Sequence, residues 1–439
     1  MNNKVEKFAA LVHDVITCAK ICVSDYNGKF PSETAKLNSE MIVLDWNDNQ
    51  NIGYHWSGFD FDWYLIKTGL IREKILIVSN CTVDDKLMNI AYSRSNKQLT
   101  VELHPTGKFN EIVKTIACEN DWPDQDEIIK IVTDFWEYYD EYQTIQNNEL
   151  VQDISQKLLS SKNIILHGAP GTGKTYLSKI IAAKLIGTNL ESLVQSKQFG
   201  FVQFHPSYDY TDFMEGVKPD MGDREINFSL KPGIFEKFIV NAAQDPHHKY
   251  IFLIDEINRG EINKILGELF YALDPSYRGK KGAVETQYSS LHKTNDFYKK
   301  MKQFYIPENL YLIGTMNDID RSIDSFDFAT RRRFRFINIK ANDQNVLSML
   351  DTLDSDHVNE AKQRLVALNN QIAQTEGLSE DYQIGPSYFL NLPELNYDYE
   401  VLWSDYLKPL LKDYLFGNED EEAILARLKW AYENNENNR

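Results

Sequence analysis

Eight consecutive residues have the types and the spacing needed to hold phosphate groups. They are Gly168, Ala169, Pro170, Gly171, Thr172, Gly173, Lys174 and Thr175, and they lie between an apolar run and a helical pattern. The spacing GxxxxGK(S/T) is typical of a loop that surrounds nucleotide phosphates, since its glycines let the backbone curl and its N–H groups converge. The start of the next helix adds the positive end of its dipole. We predict that all eight residues bind nucleotide, with Lys174 on the β and γ phosphates and Thr175 on Mg²⁺.

Two acidic residues, Asp255 and Glu256, follow the apolar run 250–254. This run predicts a buried strand whose end places Asp255 beside the phosphate loop, where a carboxylate can hold Mg²⁺. Glu256 would then orient and deprotonate a water that attacks the terminal phosphate. The alternative is a buried strand that ends in two solvated acids, and the phosphate loop in the same chain weighs against it.

Asn317 ends a further apolar run, 310–316, and we predict that it hydrogen-bonds the same water or the γ phosphate.

Four arginines follow within residues 331–335. Such a run alone indicates a solvated face or an anion-binding surface. In ring-forming NTPases, an arginine at this distance lies at the subunit edge and its planar guanidinium stabilises charge on the neighbour's γ phosphate. Arg331 and Arg332 are the candidates for that role, whereas Arg333 is as compatible with a structural one.

The elements that must position these residues form an α/β unit. From Asn163 onward, buried-strand runs without alternation (NIILHG, FGFVQFH, YIFLIDE, LYLIGTMN) are interleaved with helical patterns, which predicts a parallel sheet covered on both faces. Two long insertions, 215–232 and 275–307, interrupt this unit. Before it, residues 1–145 contain two helical patterns, the second over residues 126–142, and the strand-like runs between them are MIVLDW, IGYHWSGFDFDWYLI, KILIVSN, MNIAYS and QLTVEL. We therefore predict an α+β domain there. We place the nucleotide-binding core at 150–340 and a helical domain at 341–439.

Composition and charge limit the classes of protein. The chain has 439 residues, and no apolar run approaches the length of a membrane span; the amino-terminal residues are charged where an export signal would be apolar. All four cysteines lie in the first 120 residues without metal-site spacing, and Cys18 and Cys22 fit a helical packing pattern. These features predict a cytoplasmic protein with no membrane segment.

The net charge of −18 is unevenly distributed, because residues 1–150 carry −10, residues 151–340 carry +4 and residues 341–439 carry −12. Only the middle third is basic. This is weak support for nucleic acid contacts, since a nucleotide site alone would bias the segment in the same way.

Five segments together resemble the AAA+ motor of the McrB family, the nucleotide-hydrolysing subunits of modification-dependent restriction systems. They are GAPGTGKT, FVQFHPSYDYTDFMEGVKP, IFLIDEINRGEINKILGELF, LYLIGTMNDIDRSIDSFDFATRRRFRF and IGPSYF, within residues 150–395. The resemblance implies an AAA+ P-loop NTPase with a parallel-sheet core and a carboxyl-terminal helical lid, which hydrolyses GTP with Mg²⁺ as a hexameric ring. It also implies an McrC-type nuclease subunit as partner and an amino-terminal domain that recognises modified DNA.

The same resemblance adds residues to the site. Asn258 and Arg259 belong to the extended DEINR element, and we count Asn258 with the catalytic candidates. Asp320 and Arg321 belong to the MNxxDRS signature near the subunit interface, and we count Asp320 with the nucleotide-binding candidates. In contrast, the segment IGPSYF contains no arginine, so we assign no lid arginine to the γ phosphate.

Several alternatives stay open at this point. The phosphate loop reads only phosphates, so ATP is an alternative to GTP, and an ATP-dependent remodeller of protein complexes is an alternative to a restriction motor. A third possibility is a nucleotide-dependent switch that senses a phage component other than DNA. The segment 204–213, FHPSYDYTDF, either couples nucleotide state to the ring or is a strand end followed by a capped helix. The aromatic run 53–64 supplies either walls for a flipped base or strand packing.

Overall fold

The computed structural model describes residues 124–221, 226–294, 304–319 and 326–434, together with Ala9 and six strands within residues 41–117. The chain divides into two compact units, Met1–Gln143 and Thr144–Arg439. Three predicted features lie outside the described residues: the helical pattern with Cys18 and Cys22, the aromatic run from residue 54 to residue 64, and the pair formed by Asp320 and Arg321.

The first unit contains a six-stranded antiparallel sheet in the order β2-β1-β3-β4-β5-β6. The strands are β1 (Met41–Asn47), β2 (Gln50–Gly53), β3 (Leu76–Val83), β4 (Lys86–Ser93), β5 (Gln98–Pro105) and β6 (Ile112–Ala117). Strands β3 to β6 pair in chain order, as tight antiparallel connections allow. Strand β6 was not among the strands predicted from the sequence.

Helix α1 (Gln125–Asn147) runs across the division between the two units. The helical pattern predicted it from residue 126 to residue 142, and the structure extends it by five residues at its carboxyl end. The next residue, Asn148, accepts a hydrogen bond from the Val151 N–H and so caps α2 (Glu149–Ser161). The polar stretch at the predicted boundary is therefore helical almost throughout.

The second unit is built on a five-stranded parallel sheet in the order β13-β7-β12-β11-β8. These strands are β7 (Asn163–Gly168), β8 (Phe199–Gln203), β11 (Tyr250–Asp255), β12 (Leu310–Asn317) and β13 (Arg335–Asn338). The register pairs Ile254 with Gly314 and Asn317 with Gly168. The carboxyl ends of β7, β11 and β12 therefore meet at one edge of the sheet.

Helices cover both faces of this sheet, which explains why its strands lack polar alternation. On β11, Ile251 and Leu253 pack with α2 and with the helix Lys174–Ile186, whereas Phe252 and Ile254 pack on the opposite face. The helices of this core after α2 are α3 (Lys174–Ile186), α4 (Leu190–Leu193), α5 (Tyr210–Phe213), α6 (Ile234–Gln244), α7 (Ile262–Leu266), α8 (Leu269–Ala272) and α9 (Phe328–Arg333).

The two insertions are ordered where they are described. The first forms a hairpin of β9 (Glu215–Met221) and β10 (Ile226–Pro232). The second contains short 3₁₀ turns at Pro275–Tyr277, Lys280–Gly282 and Ser289–Thr294. Its Arg278 is 1% exposed and donates hydrogen bonds to Asn163 Oδ1 and, at 3.4 Å, to the Leu310 carbonyl. Burial lowers the pKa of Arg278 to about 9.

After β13 the chain is helical, as predicted. Helices α10 (Gln344–Leu347), α11 (Ser355–Gln374), α12 (Tyr399–Leu402), α13 (Lys408–Tyr414) and α14 (Glu421–Glu433) pack around a separate apolar core. Three 3₁₀ turns and one π turn complete this lid: Ser348–Thr352, Glu380–Tyr382, Pro386–Asn391 and Trp403–Leu407. Among the described helices, none is both long and apolar enough to cross a membrane.

A buried ionisable cluster joins the two insertions to α6. His292 Nε2 lies 2.6 Å from Glu215 Oε2, and their side chains are 6% and 1% exposed. Glu236 is 2% exposed, and neither its Oε2 nor Glu215 Oε1 has a hydrogen-bond partner among the described residues. Burial and, to a smaller extent, the Glu215 carboxylate raise the pKa of Glu236 to about 8, although Lys237 opposes them.

The raised pKa predicts how the stability of the protein depends on pH. A carboxyl group whose folded pKa exceeds its ordinary value of 4.5 stabilises the fold at low pH, and this contribution is lost as the pH rises toward 8. We expect Glu236→Gln to unfold at a higher Tm than the unmodified protein, with a difference that grows between pH 5 and pH 8. The gain at the upper end should be about 4 kcal/mol, since each unit of pKa difference contributes about 1.4 kcal/mol.

Thermal unfolding at several pH values tests this expectation. The exposed Glu422, in the first turn of α14, provides the matched control as Glu422→Gln. A Tm difference for Glu236→Gln that stays constant from pH 5 to pH 8 would contradict the assignment of the titrating group.

Candidate active site

The phosphate loop connects β7 to α3 and takes a shape that requires glycine. Gly171 and Gly173 have φ angles of 77° and 75°, in the left-handed region that favours glycine. Lys174 is 6% exposed, and its ammonium donates to the carbonyls of Gly168 at 3.1 Å and Ala169 at 2.7 Å. The loop thus holds its lysine against its own backbone carbonyls.

Asp255 joins the phosphate loop to the end of β12. Its Oδ1 accepts a hydrogen bond from the Thr175 hydroxyl at 2.6 Å and another from the Thr315 hydroxyl at 2.5 Å. This pairing follows from the register, because Thr315 lies one residue beyond the Ile254–Gly314 pair. Thr315 was not a predicted site residue, since a threonine inside a buried strand carries no distinctive pattern.

The Thr175 and Asp255 oxygens fit Mg²⁺ in their chemistry. Magnesium favours hard oxygen ligands and is usually held by one or two protein groups together with substrate phosphates and waters. Within the described parts of the chain, no group of three or more histidine, cysteine, aspartate or glutamate side chains is arranged to hold a metal by itself. The sequence predicts the Thr175 hydroxyl and the Asp255 carboxylate as the protein's ligands, and the chemistry of their oxygens agrees with that prediction.

Glu256 follows Asp255 in a left-handed conformation, with φ 50° and ψ 46°. Its backbone N–H donates to the Thr315 hydroxyl at 3.3 Å. The Asn317 amide donates to Glu256 Oε1 at 3.1 Å, and Arg259 Nε lies 3.2 Å from Oε2. The two predicted catalytic residues Glu256 and Asn317 are thus in direct contact.

Asn258, the remaining catalytic candidate of this element, is 9% exposed within the 3₁₀ turn Ile257–Arg259. Its Oδ1 has no hydrogen-bond partner among the described residues.

Asp320, predicted to bind nucleotide, lies outside the described residues. Its neighbour Asp318 is described, and both of its carboxylate oxygens lie within 3.0 Å of His167 Nδ1. This pair, between the end of β7 and the end of β12, was not predicted.

The arginines of α9 divide into exposed and packed members. The guanidinium of Arg331 lies 5.3 Å from the Phe336 ring centroid, and Arg332 donates to Asp274 at 3.2 Å; both side chains are exposed. Arg333 packs inward, with its guanidinium 4.2 Å from the Phe270 ring and a hydrogen bond of 2.9 Å to the Ala329 carbonyl. The structure therefore gives Arg333 a packing role and leaves Arg331 and Arg332 on the surface.

The segment 204–213 packs as a strand end followed by a capped helix. Asp209 accepts hydrogen bonds from the N–H groups of Thr211 and Asp212, and the Phe204 and Tyr208 rings stack with centroids 5.1 Å apart. Burial raises the pKa of Tyr208 to about 12, with a smaller contribution from the two nearby aspartates. The segment therefore has the geometry of the second alternative, a strand end followed by a capped helix.

The lid contacts the phosphate loop through its backbone. The N–H groups of Gly385 and Ser387 donate to the carbonyls of Pro170 at 2.8 Å and Gly171 at 3.1 Å. A Cβ at Gly385 would lie 2.0 Å from the Gly171 carbonyl carbon, and one at Gly171 would lie 2.6 Å from Ser387 Oγ. Sequence reasoning missed this contact, although the glycine of IGPSYF was a signal of close backbone approach.

These features define a class of protein. The site combines a phosphate loop before a helix, a strand that ends in Asp-Glu and a neighbouring strand that ends in asparagine. The five parallel strands of this sheet, numbered in chain order, lie in the order 5-1-4-3-2. Together these features are those of an AAA+ P-loop NTPase domain. The family model "AAA domain (dynein-related subfamily)" matches residues 163–334. The model "McrB, alpha-helical lid domain" matches residues 360–423. The two matches together support assignment of the chain to the McrB family.

Curated relatives agree with this assignment. Over 280 residues, the chain is 36% identical to "Type IV methyl-directed restriction enzyme EcoKMcrB subunit" of Escherichia coli (strain K12), which covers 61% of this chain and 57% of that protein. It is 26% identical over 203 residues to "Type II restriction enzyme BsuMI component YdiS" of Bacillus subtilis (strain 168), which covers 40% of this chain and 56% of that protein. The chain thus matches just over half the length of each.

The similarity of the chain to solved structures is weaker than its similarity to the curated relatives. NtrX from Brucella abortus, solved with ATP, superposes with a TM-score of 0.27 at 13% identity over 70% of this chain and 76% of that one.

The tight contact between lid and loop yields a prediction. Since a Cβ at residue 385 would overlap the Gly171 backbone, we expect Gly385→Ala to push the lid off the phosphate loop. Nucleotide affinity should fall by about tenfold or more, because displaced backbone donors no longer hold the loop in its binding shape. Titration with a fluorescent triphosphate analogue, together with Tm, measures the effect.

The matched control is Gly377→Ala in the same lid. Gly377 has φ 85° and open space around its would-be Cβ, so alanine there introduces backbone strain without a clash. Unchanged affinity in Gly385→Ala, or an equal loss in both variants, would show that the lid contact does not shape the loop.

Proposed function

We propose that this chain is the nucleotide-hydrolysing motor subunit of a McrBC-like restriction system, with GTP as the favoured substrate. The observation that carries the proposal is the network in which Asp255 accepts from Thr175 and Glu256 contacts Asn317. This arrangement supplies a magnesium-binding pair beside a general base and its orienting amide. The match to the McrB lid supports the restriction system over a general remodeller of protein complexes.

The residues of the chain divide the work of hydrolysis. The loop N–H groups and Lys174 hold the phosphates, and Asn317 orients the Glu256 carboxylate. Glu256 takes a proton as a water oxygen bonds to the γ phosphorus and the bond to the β-phosphate oxygen breaks. Thr175 and Asp255 would hold Mg²⁺, which would supply positive charge beside the phosphate oxygens. The products are a nucleoside diphosphate and inorganic phosphate.

The proposal includes three partners. The exposed Arg331 and Arg332 support assembly into a ring, with six subunits as in the AAA+ resemblance, because a guanidinium on one protomer can then complete its neighbour's site. A McrC-like nuclease subunit would cut DNA. Modified DNA would be recognised by the amino-terminal domain or by that partner. The similarity to the Escherichia coli protein that is named as a methyl-directed restriction enzyme subunit supports the proposal that modified DNA is a partner.

A hydrolysis panel with GTP and ATP, with and without a candidate nuclease subunit, tests the function. We expect faster turnover of GTP, and a clear preference for ATP would refute the GTPase assignment while leaving the fold unaffected.

In the same panel, Lys174→Ala should lose nucleotide binding, since the loop loses the ammonium that its carbonyls hold. Glu256→Gln should bind nucleotide but not turn it over, and full turnover by that variant would exclude Glu256 as the base.

A mixing experiment tests the arginine supplied across the ring. Arg331→Ala keeps its own loop but cannot complete a neighbour, whereas Lys174→Ala has a defective loop but an intact Arg331. We expect each variant alone to lose about 10³-fold in turnover in the assembled ring, and their mixture to recover part of the activity. Arg335→Ala, an exposed arginine of the same run, is the control. An equal loss of basal turnover by isolated Arg331→Ala monomers would contradict a role in trans.

A further inference from the structure

A histidine–aspartate pair lies where the phosphate loop begins, and the proposed function gives it no role. His167 immediately precedes Gly168, the first residue of the loop, and Asp318 immediately follows Asn317, the last residue of β12. The His167 Nδ1 atom lies 3.0 Å from Asp318 Oδ1 and 2.9 Å from Oδ2. Because an ionised carboxylate can only accept hydrogen bonds, Nδ1 is the donor. Each partner is thus the direct neighbour of a residue of the site.

The parallel register of the sheet brings these two side chains together. Asn317 is paired with Gly168 at the carboxyl ends of β12 and β7. Asp318 continues its strand by one residue, and its N–H donates to the Gly168 carbonyl at 3.3 Å. The backbone of Asp318 therefore contacts the phosphate loop, while its side chain contacts the strand that leads into that loop.

The Gly168 carbonyl also connects this pair to the lysine of the phosphate loop. The same oxygen accepts the Asp318 N–H at 3.3 Å and the Lys174 ammonium at 3.1 Å. A carbonyl oxygen has two lone pairs, so one atom can serve both donors. The residue after β12 and the lysine that we propose to hold the phosphates are therefore fixed relative to one atom.

The imidazole ring of His167 is held from a second side by β13. The Phe336 ring meets it edge to face, with centroids 5.9 Å apart and planes inclined at 65°, and Phe336 in turn contacts Phe326 at 5.8 Å. The side chains of His167 and Asp318 are 22% and 15% exposed, so water competes little for their hydrogen bonds. The ring has one polar and one aromatic neighbour, and it holds the Asp318 carboxylate in place.

The position of Asn317 matters because its amide donates to Glu256 Oε1 at 3.1 Å, and Glu256 is the general base of the proposed function. Asn317 ends β12, and the end of a strand frays unless the residue that follows it is fixed. Asp318 is that residue. A frayed end would displace the amide, and an error of about 1 Å in a catalytic arrangement can cost about 10²-fold in rate.

We propose that His167 is a positioning residue, which fixes Asp318 and thereby keeps the Asn317 amide on Glu256. The inference rests on the proposed function and adds a residue to its site. His167 acts only through Asp318 and contacts neither the nucleotide nor the attacking water. Loss of the pair therefore slows hydrolysis and leaves nucleotide binding intact, because the loop N–H groups and Lys174 stay in place.

Substitution of His167 in the full chain separates turnover from binding. We expect His167→Ala to lower kcat by about tenfold and to change the affinity for a non-hydrolysable triphosphate by less than about twofold. His167→Asn should recover most of kcat, because its amide nitrogen lies where Nδ1 lies in histidine and can donate to Asp318. Unchanged kcat in His167→Ala, or a loss of affinity without a loss of kcat, would overturn the proposal. All rates are compared well below the lowest Tm of the variants.

A double-mutant cycle distinguishes positioning from general structural support. If His167 acts through Asn317, His167→Ala should cost nothing further in a chain that already carries Asn317→Ala. Likewise, His167→Ala, Asp318→Ala and the variant with both substitutions should lose the same factor in kcat. Losses that multiply in either combination would show that His167 acts independently of these residues, and would overturn the proposal.

A second histidine–aspartate pair provides the matched control. His248 Nδ1 lies 2.7 Å from Asp245 Oδ1, shortly before the amino-terminal end of β11, so this pair and the phosphate loop lie at opposite ends of the strands. His248→Ala should change neither kcat nor nucleotide affinity. A fall in kcat equal to that of His167→Ala would overturn the proposal.

The Glu256→Gln variant separates this inference from the proposed function on which it rests. If the unmodified chain hydrolysed no triphosphate, or if Glu256→Gln kept full turnover, the proposed function would fail and this inference with it. If Glu256→Gln lost turnover and His167→Ala kept it, only this inference would fail.

Discussion

The structure of the site depends on one carboxylate oxygen, Asp255 Oδ1, which accepts from the hydroxyls of Thr175 and Thr315. Thr175 lies at the start of α3 and Thr315 near the end of β12, so a single acceptor ties the phosphate loop to two parallel strands. The register of the sheet brings these groups together, because adjacent parallel strands end at the same edge. A shift of β11 by one residue would turn the Asp255 carboxylate to the other face of the sheet, and the same shift of β12 would turn the Thr315 hydroxyl away from it.

The lid is joined to this edge by backbone rather than by side-chain charge. Gly385 and Ser387 donate to two carbonyls of the phosphate loop, and the approach is closer than any side chain at residue 385 would permit. The lid therefore contacts the loop although its IGPSYF segment contains no arginine. A change in the shape of the loop on binding phosphate would be transmitted directly to the lid backbone.

The insertions are held by buried polar groups away from the phosphate loop. Glu215, Glu236 and His292 join the hairpin, α6 and a 3₁₀ turn, while Arg278 reaches Asn163 at the start of β7. Such groups are costly to bury without full hydrogen bonding, and two carboxylate oxygens of this cluster lack partners among the described residues. They define how the insertions attach to the core, at the expense of stability as the pH rises.

The sequence by itself determined the class of fold and the positions of the phosphate loop, Asp255, Glu256 and Asn317, because apolar runs and glycine spacing are properties of neighbouring residues. It failed for β13, whose arginine-rich start resembles a surface loop, and it described the first insertion only as long, although this segment forms a hairpin. The contacts of Thr315 with Asp255, of His167 with Asp318 and of Gly385 with Pro170 were decided by tertiary structure alone. Each joins residues 60 or more positions apart, and only the packing of strands, helices and lid brings such residues within hydrogen-bond distance.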